Sequence, residues 1–200
     1  MKLPEFFAEV PKIVLHDPLA EFLGAAGNGI LEYGYSDAVK LAGHSCPTVA
    51  SAYWMTYKAL QALYQGDVAE RGNIKVEFSK RNTDGVTGVI ANVVSLLTGA
   101  TVDTGFKGIG GYFDRRHKLF FEVDMPGEMR FTRLDTQDKV SVSVNLQVVP
   151  SSPRVLELMP RCLNKSASAE ELLEFQSLWQ GRVKAILLDH AEDPRVFAVD

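Results

Sequence analysis

Between residues 48 and 64, Val49, Ala52, Tyr53, Thr56, Tyr57, Leu60 and Leu63 recur three or four positions apart, the spacing that gathers side chains on one face of a helix. Pro47 suits the first position of that helix, because its φ is fixed and it has no amide hydrogen to lose, so Cys46 is the predicted N-cap. Gln65-Gly66-Asp67 ends it. Residues 86–97 are apolar on nearly every side, with Val89, Ile90, Val93, Val94, Leu96 and Leu97. They predict a helix in the middle of the molecule or in a subunit interface, with Asp84 as its cap. The period falls to two in 73–79, where Ile74, Val76 and Phe78 alternate with Lys75, Glu77 and Ser79, and again in 129–134 and 140–148. Residues 119–123 add a short apolar run. Strands with one wet face form an antiparallel-rich sheet packed against helices on the other, which is an α+β fold.

Upstream, Asp17-Pro18 followed by Leu19, Phe22 and Leu23 predicts a short capped helix stopping at Gly24. Residues 30–35 read as a strand, and Ser36 or Asp37 as the cap of a short helix that ends at Gly43. Downstream, Pro150 and Pro153 mark a boundary. Residues 1–150 read as the core domain, and 151–200 as a helical extension that packs on the core or on a partner subunit. Ser168 and Glu171 form a capping box opening a C-terminal amphipathic helix through residue 188, with Leu172, Phe175, Trp179, Val183, Ile186 and Leu187 along one side.

Composition narrows the class. Two hundred residues, 46% hydrophobic and 23% charged, suffice for one well-packed soluble domain. A net charge of −4 without a basic face argues against nucleic acid. No apolar run is long enough to span a bilayer, and the first residues lack a signal peptide's apolar core, so no membrane association and a cytoplasmic location are expected. Cys46 and Cys162 are the only cysteines, which excludes a disulfide framework and a four-cysteine zinc finger.

The candidate chemistry sits at Gly43-His44-Ser45-Cys46-Pro47. A sulfur at a helix N-cap faces unpaired amides and the positive end of the dipole, which favour the thiolate. In an extended approach His44, two residues earlier, leaves the chain on the same side as Cys46. The competing reading makes both ordinary core residues. His16 offers a third imidazole from the N-terminal arm, or an exposed side chain. The loop 105–111, with four glycines and Lys107, followed by Arg115 and Arg116, could cradle an anion, or simply form tight turns.

With these residues in view, the chain resembles the FmdE family, which is named for formylmethanofuran dehydrogenase. Gly-His-x-Cys-Pro opening a helix is the family's signature, matched by residues 43–47. A strand Glu, a capping Asp, a Thr-Gly-x-Thr ending and a Gly/Lys loop follow, here Glu77, Asp84, Thr98-Gly99-Ala100-Thr101 and Gly105-Phe106-Lys107-Gly108. The resemblance covers roughly residues 32–134. It implies an α+β core, a metal near the His and Cys, and homodimerisation. Family cysteines before the capping Asp and inside Thr-Gly-x-Thr are Arg81 and Ala100 here, the His often found before the signature glycine is Ala42, and a plain helix is expected where some members append a cysteine-rich zinc finger. Redox chemistry needing paired thiols is therefore not expected.

Two functions of different class fit. In the first, the protein is a metal-binding accessory or carrier module. His44 and Cys46 are ligands, and the remaining positions fall to water, substrate, Asp84, Glu77 or His16. Zinc is the leading metal, with nickel, copper or iron also compatible. In the second, it is an enzyme, either through an open metal position or through Cys46 as nucleophile and His44 as base. Lys107, Arg115 and Arg116 would then hold a small anionic substrate. The first is preferred. The two strongly apolar helices further predict a homodimer.

Overall fold

The structure, a computed structural model, describes residues 2–200. After a 3-10 turn at Glu5–Ala8, strand β1 (Ile13–His16) leads into helix α1 (Pro18–Phe22). Asp17 caps α1, its Oδ1 accepting from the N–H groups of Leu19 and Ala20 at 3.0 and 3.2 Å. Strand β2 (Ile30–Tyr33) returns antiparallel to β1. Helix α2 (Tyr35–Ala42) starts slightly before the expected caps: Gly34 is its N-cap, and the Asp37 carboxylate accepts from the Gly34 N–H at 2.9 Å.

Helix α3 (Pro47–Tyr64) begins as expected, with Cys46 as N-cap, and is the most enclosed element. Every residue from Val49 to Thr56 is buried, not a single stripe. It is packed against α2, against the sheet described below and against the next helix, and Ala50, Ser51 and Ala52 on its intervening faces let these neighbours approach. The buried hydroxyls of Ser51 and Thr56 donate to carbonyls of the same helix, so enclosing them leaves no donor unpaired.

Strand β3 (Ala69–Glu70) adds parallel to β1 and completes a sheet of order β2-β1-β3. Strand β4 (Ile74–Phe78) and helix α4 (Thr87–Thr98) follow. The cap of α4 is Val86 and not Asp84, the residue expected from the sequence. The Asp84 carboxylate accepts from the Arg81 N–H and its carbonyl from the Thr87 N–H, closing a turn ahead of the helix. The apolar helix is central on the side that buries Ile90, Val93, Val94 and Leu97, while Val86 is 50% exposed and Asn92 faces solvent.

Strands β5 (Leu119–Phe120), β6 (Met129–Arg133) and β7 (Lys139–Val144) extend the second sheet. The alternation read through residue 148 stops at Asn145, whose Oδ1 accepts from the Gln147 N–H and starts a 3-10 turn. Helix α5 (Pro153–Leu163), unseen in the sequence pattern, forms a hairpin with helix α6 (Ala169–Lys184), which opens with the expected Ser168–Glu171 capping box and continues into a π-helical turn, Ala185–Asp189. The last strand, β8 (Phe197–Val199), pairs antiparallel with β7 and closes the sheet in the order β5-β4-β6-β7-β8, of which only β4–β5 is parallel. The fold is α+β. Val183, Ile186, Leu187 and Phe197 share one core cluster with α3 and the sheet. Among the described residues no helix is long and apolar enough to cross a membrane.

Candidate functional site

Gly43 ends α2 with φ +75°, while its N–H donates to the Val39 carbonyl at 2.9 Å. A side chain is strained at that φ, and glycine is not. Three residues then link α2 to α3. Cys46 is extended at φ −148°, ψ 168°, and its carbonyl accepts the first bond of α3, from the Ala50 N–H at 3.0 Å. Its thiol is half-buried and makes no capping hydrogen bond. His44 is exposed, with Nδ1 2.9 Å from the Ala42 carbonyl oxygen. A carbonyl only accepts, so in the neutral ring Nδ1 carries the proton and Nε2 keeps its lone pair, the tautomer that a metal ligand requires. No hydrogen bond joins His44 to Cys46 among the described residues.

Ser45, between these two, is held from three sides. Its carbonyl accepts from Trp179 Nε1 at 3.0 Å and Gln180 Nε2 at 3.3 Å. Its hydroxyl donates to Gln180 Oε1 at 3.0 Å and lies 2.9 Å from the Tyr35 hydroxyl. Burial pushes the Tyr35 phenol well above its ordinary pKa, so it remains a neutral partner. In the sequence Trp179 falls on the apolar side of the C-terminal helix, and nothing there marks Ser45, Tyr35 or Gln180 as part of the site. The one available signal was a glutamine next to a tryptophan that was expected to be buried.

The other predicted site residues are engaged elsewhere. His16 Nε2 pairs with Glu21 at 2.8 Å. Glu77 is buried between Lys75 at 3.0 Å and Arg130 at 2.9 Å; burial alone would raise its pKa, but these two cations outweigh it and hold the carboxyl below its ordinary value. Asp84 serves its own turn. Among the described residues no three His, Cys, Asp or Glu side chains are grouped so as to hold a metal ion. The structure therefore does not gather Asp84, Glu77 and His16 around His44 and Cys46.

Two of the three predicted anion-binding residues, Arg115 and Arg116, are likewise committed. Arg115 is buried, with Nη2 2.6 Å from Asp17 Oδ1 and Nη1 2.5 Å from the Arg71 carbonyl. Arg71 reaches the other Asp17 oxygen at 2.9 Å and donates to the Leu96 carbonyl near the end of α4. Arg116 forks onto Asp114 at 2.8 and 3.1 Å, while Lys107 is exposed. A cavity of about 440 Å³ is lined by Leu41, Arg71, Ser95, Phe106 and Arg115 among others, with neither His44 nor Cys46 in its wall.

A family model described as FmdE, Molybdenum formylmethanofuran dehydrogenase operon, matches residues 41–194. The match runs further toward the C-terminus than the motif resemblance, and it contains the His44–Cys46 loop together with Trp179 and Gln180. No curated protein matches the chain.

Proposed function

The chain belongs to the FmdE family, and from that membership we propose that it is a metal-binding module, an accessory or carrier protein associated with a formylmethanofuran dehydrogenase. The observation that carries this reading is the His44 ring, whose Nδ1 is turned onto the Ala42 carbonyl and whose Nε2 is left for a ligand. Two residues on, the Cys46 thiol stands at the N-terminus of α3 and makes no capping hydrogen bond among the described residues. An imidazole and a thiolate suit zinc first, with nickel, copper or iron as alternatives. The donor set fits half of a tetrahedral site, and water, a small anionic ligand or a second copy of the chain would supply the rest. A cytoplasmic location and a homodimer belong to the same reading; two free cysteines suit a reducing compartment.

Having only two protein donors also favours a second reading, in which the metal is catalytic. Open positions let a bound metal activate water or polarise a carbonyl. The metal-free version, with His44 as base for Cys46, has less support, because His44 bonds to Ala42 instead.

Elemental analysis of purified and zinc-reconstituted protein tests the proposal. The expected result is roughly one equivalent per chain, lost in His44→Ala and in Cys46→Ser. Less than about a tenth of an equivalent in the wild type, unchanged by Cys46→Ser, would remove the metal reading.

A further inference from the structure

The link between α2 and α3 is short and partly exposed, and water could satisfy its backbone. Instead, two side chains from a helix more than 130 positions away converge on its middle residue. The hydrogen-bond directions are determined. Ser45 has one hydroxyl proton, which goes to Gln180 Oε1, so the Tyr35 hydroxyl donates to Ser45 Oγ. The Gln180 amide is then fixed in orientation: its oxygen accepts from the Ser45 hydroxyl and its nitrogen donates to the Ser45 carbonyl. Turning the amide over would set oxygen against oxygen at the Ser45 carbonyl, which only accepts. Trp179 Nε1 supplies a second donor to the same carbonyl.

These bonds govern the position of Cys46. The peptide group is planar, so donors that hold the Ser45 carbonyl oxygen also hold the Cys46 nitrogen and Cα in the same plane. On the other side, bonds to the Ser45 hydroxyl fix that residue's Cβ, and the His44 ring is turned onto the Ala42 carbonyl. The separation of imidazole and thiol thus depends on Trp179 and Gln180 as well as on the local turn.

We propose that Trp179 and Gln180 are positioning residues for the His44–Cys46 pair, so that α6 completes the site although it contributes no ligand. The inference rests on the metal-binding reading, and it extends the site to the far end of the family match. Supporting residues around metal ligands act by preorganisation: when they are removed, the ligands must be ordered at the expense of binding.

The test uses the full-length chain with Cys162→Ser, which leaves Cys46 as the only thiol, and Co(II) as the probe metal. Trp179→Phe keeps an aromatic ring and removes the N–H, and Gln180→Ala removes both bonds to Ser45. Arg182→Ala is the control, since Arg182 lies on the same helix but donates to the Val149 and Leu146 carbonyls instead. Cobalt affinity by chelator competition, the sulfur-to-cobalt charge-transfer band, the rate of Cys46 alkylation in metal-free protein and the melting temperature are measured for each. The expected result is a loss of cobalt affinity of about ten-fold in each loop-facing variant, with an altered charge-transfer band and faster alkylation. Arg182→Ala should lower the melting temperature without any of these effects. Affinities and alkylation rates matching those of the control at equal thermal loss overturn the proposal. If the wild type binds no cobalt, the metal reading fails by itself, and alkylation decides the rest. Faster alkylation in the two variants would retain the clamp, and equal rates would remove it.

Discussion

Asp17 does two jobs with one carboxylate. It caps α1 through Oδ1 and neutralises both Arg71 and Arg115 in a buried cluster. Burial alone would raise its pKa, but the hydrogen bond from Arg71 and the charge of Arg115 outweigh this and hold the carboxyl below its ordinary value. Removing the charge leaves two guanidinium groups short of a counterion. Asp17→Asn should therefore cost about 3 kcal/mol at neutral pH. The sign of the pH dependence follows from the direction of the shift. A depressed folded-state pKa stabilises fully above the unfolded value of about 3.9, and that stability is lost as pH falls through the folded value. Denaturant melts of wild type and Asp17→Asn between neutral pH and strong acid should begin to converge below about pH 4 and meet only once the pH has fallen past the lowered folded-state value. A difference that stays constant across that range would sink the ion-pair account. Asp17 as a helix cap was legible in the sequence because its partners lie two and three residues away. Its ionic role was not, because Arg71 and Arg115 reach it only through the tertiary fold. The same blindness made Arg115 look like a free anion-binding arm.

At the level of elements, local chemistry transferred well and tertiary reach poorly. Pro47 after Cys46, Gly43 in the left-handed region and the Ser168–Glu171 box each act within one turn, and each stands where the sequence placed it. Strands β1, β3 and β8 were missed, since two to four residues give no period to read and their partners are remote. The apolar spacing of α3 identified a helix but understated its enclosure, because small residues on its remaining faces look neutral in a pattern and become contact surface in a core. The His44–Cys46 pair was legible for the same local reason, whereas its Trp179–Gln180 support was not. The capping box offers a check at this scale. Glu171 accepts from the Ser168 N–H at 2.9 Å and also pairs with Arg161 of α5. Ser168→Ala should cost about 1 kcal/mol by loosening the first turn of α6, while cobalt affinity stays at the wild-type value because Trp179 lies turns away. A fall in cobalt affinity with that substitution would mean that the whole helix, not two side chains, sets the loop.

For the whole molecule, the open question is what covers its outward apolar surface. The α5–α6 hairpin presents Leu156 at 68%, Leu163 at 76% and Leu173 at 66% exposure, with Leu172 beside them. Salt bridges from Arg154 to Glu174 and from Arg161 to Glu171 tie the two helices together. Single exposed leucines are ordinary on a soluble protein, but several on one hairpin form a surface that a partner can cover. A second copy of the chain is the simplest partner, because a two-fold contact needs only one self-complementary patch. Light scattering at micromolar concentration should accordingly give twice the chain's 22.0 kDa. Leu163→Glu combined with Leu173→Glu should return the monomer mass, since charges brought together in an apolar contact carry a large desolvation penalty. A monomeric wild type would end the dimer expectation, and a dimer indifferent to both glutamates would place the contact elsewhere. Metal content of the monomeric variant then separates two ways of filling the coordination positions beyond His44 and Cys46. Retention at the wild-type level means that the chain, with water or a small ligand, is sufficient, and loss on dissociation means that the second copy contributes donors.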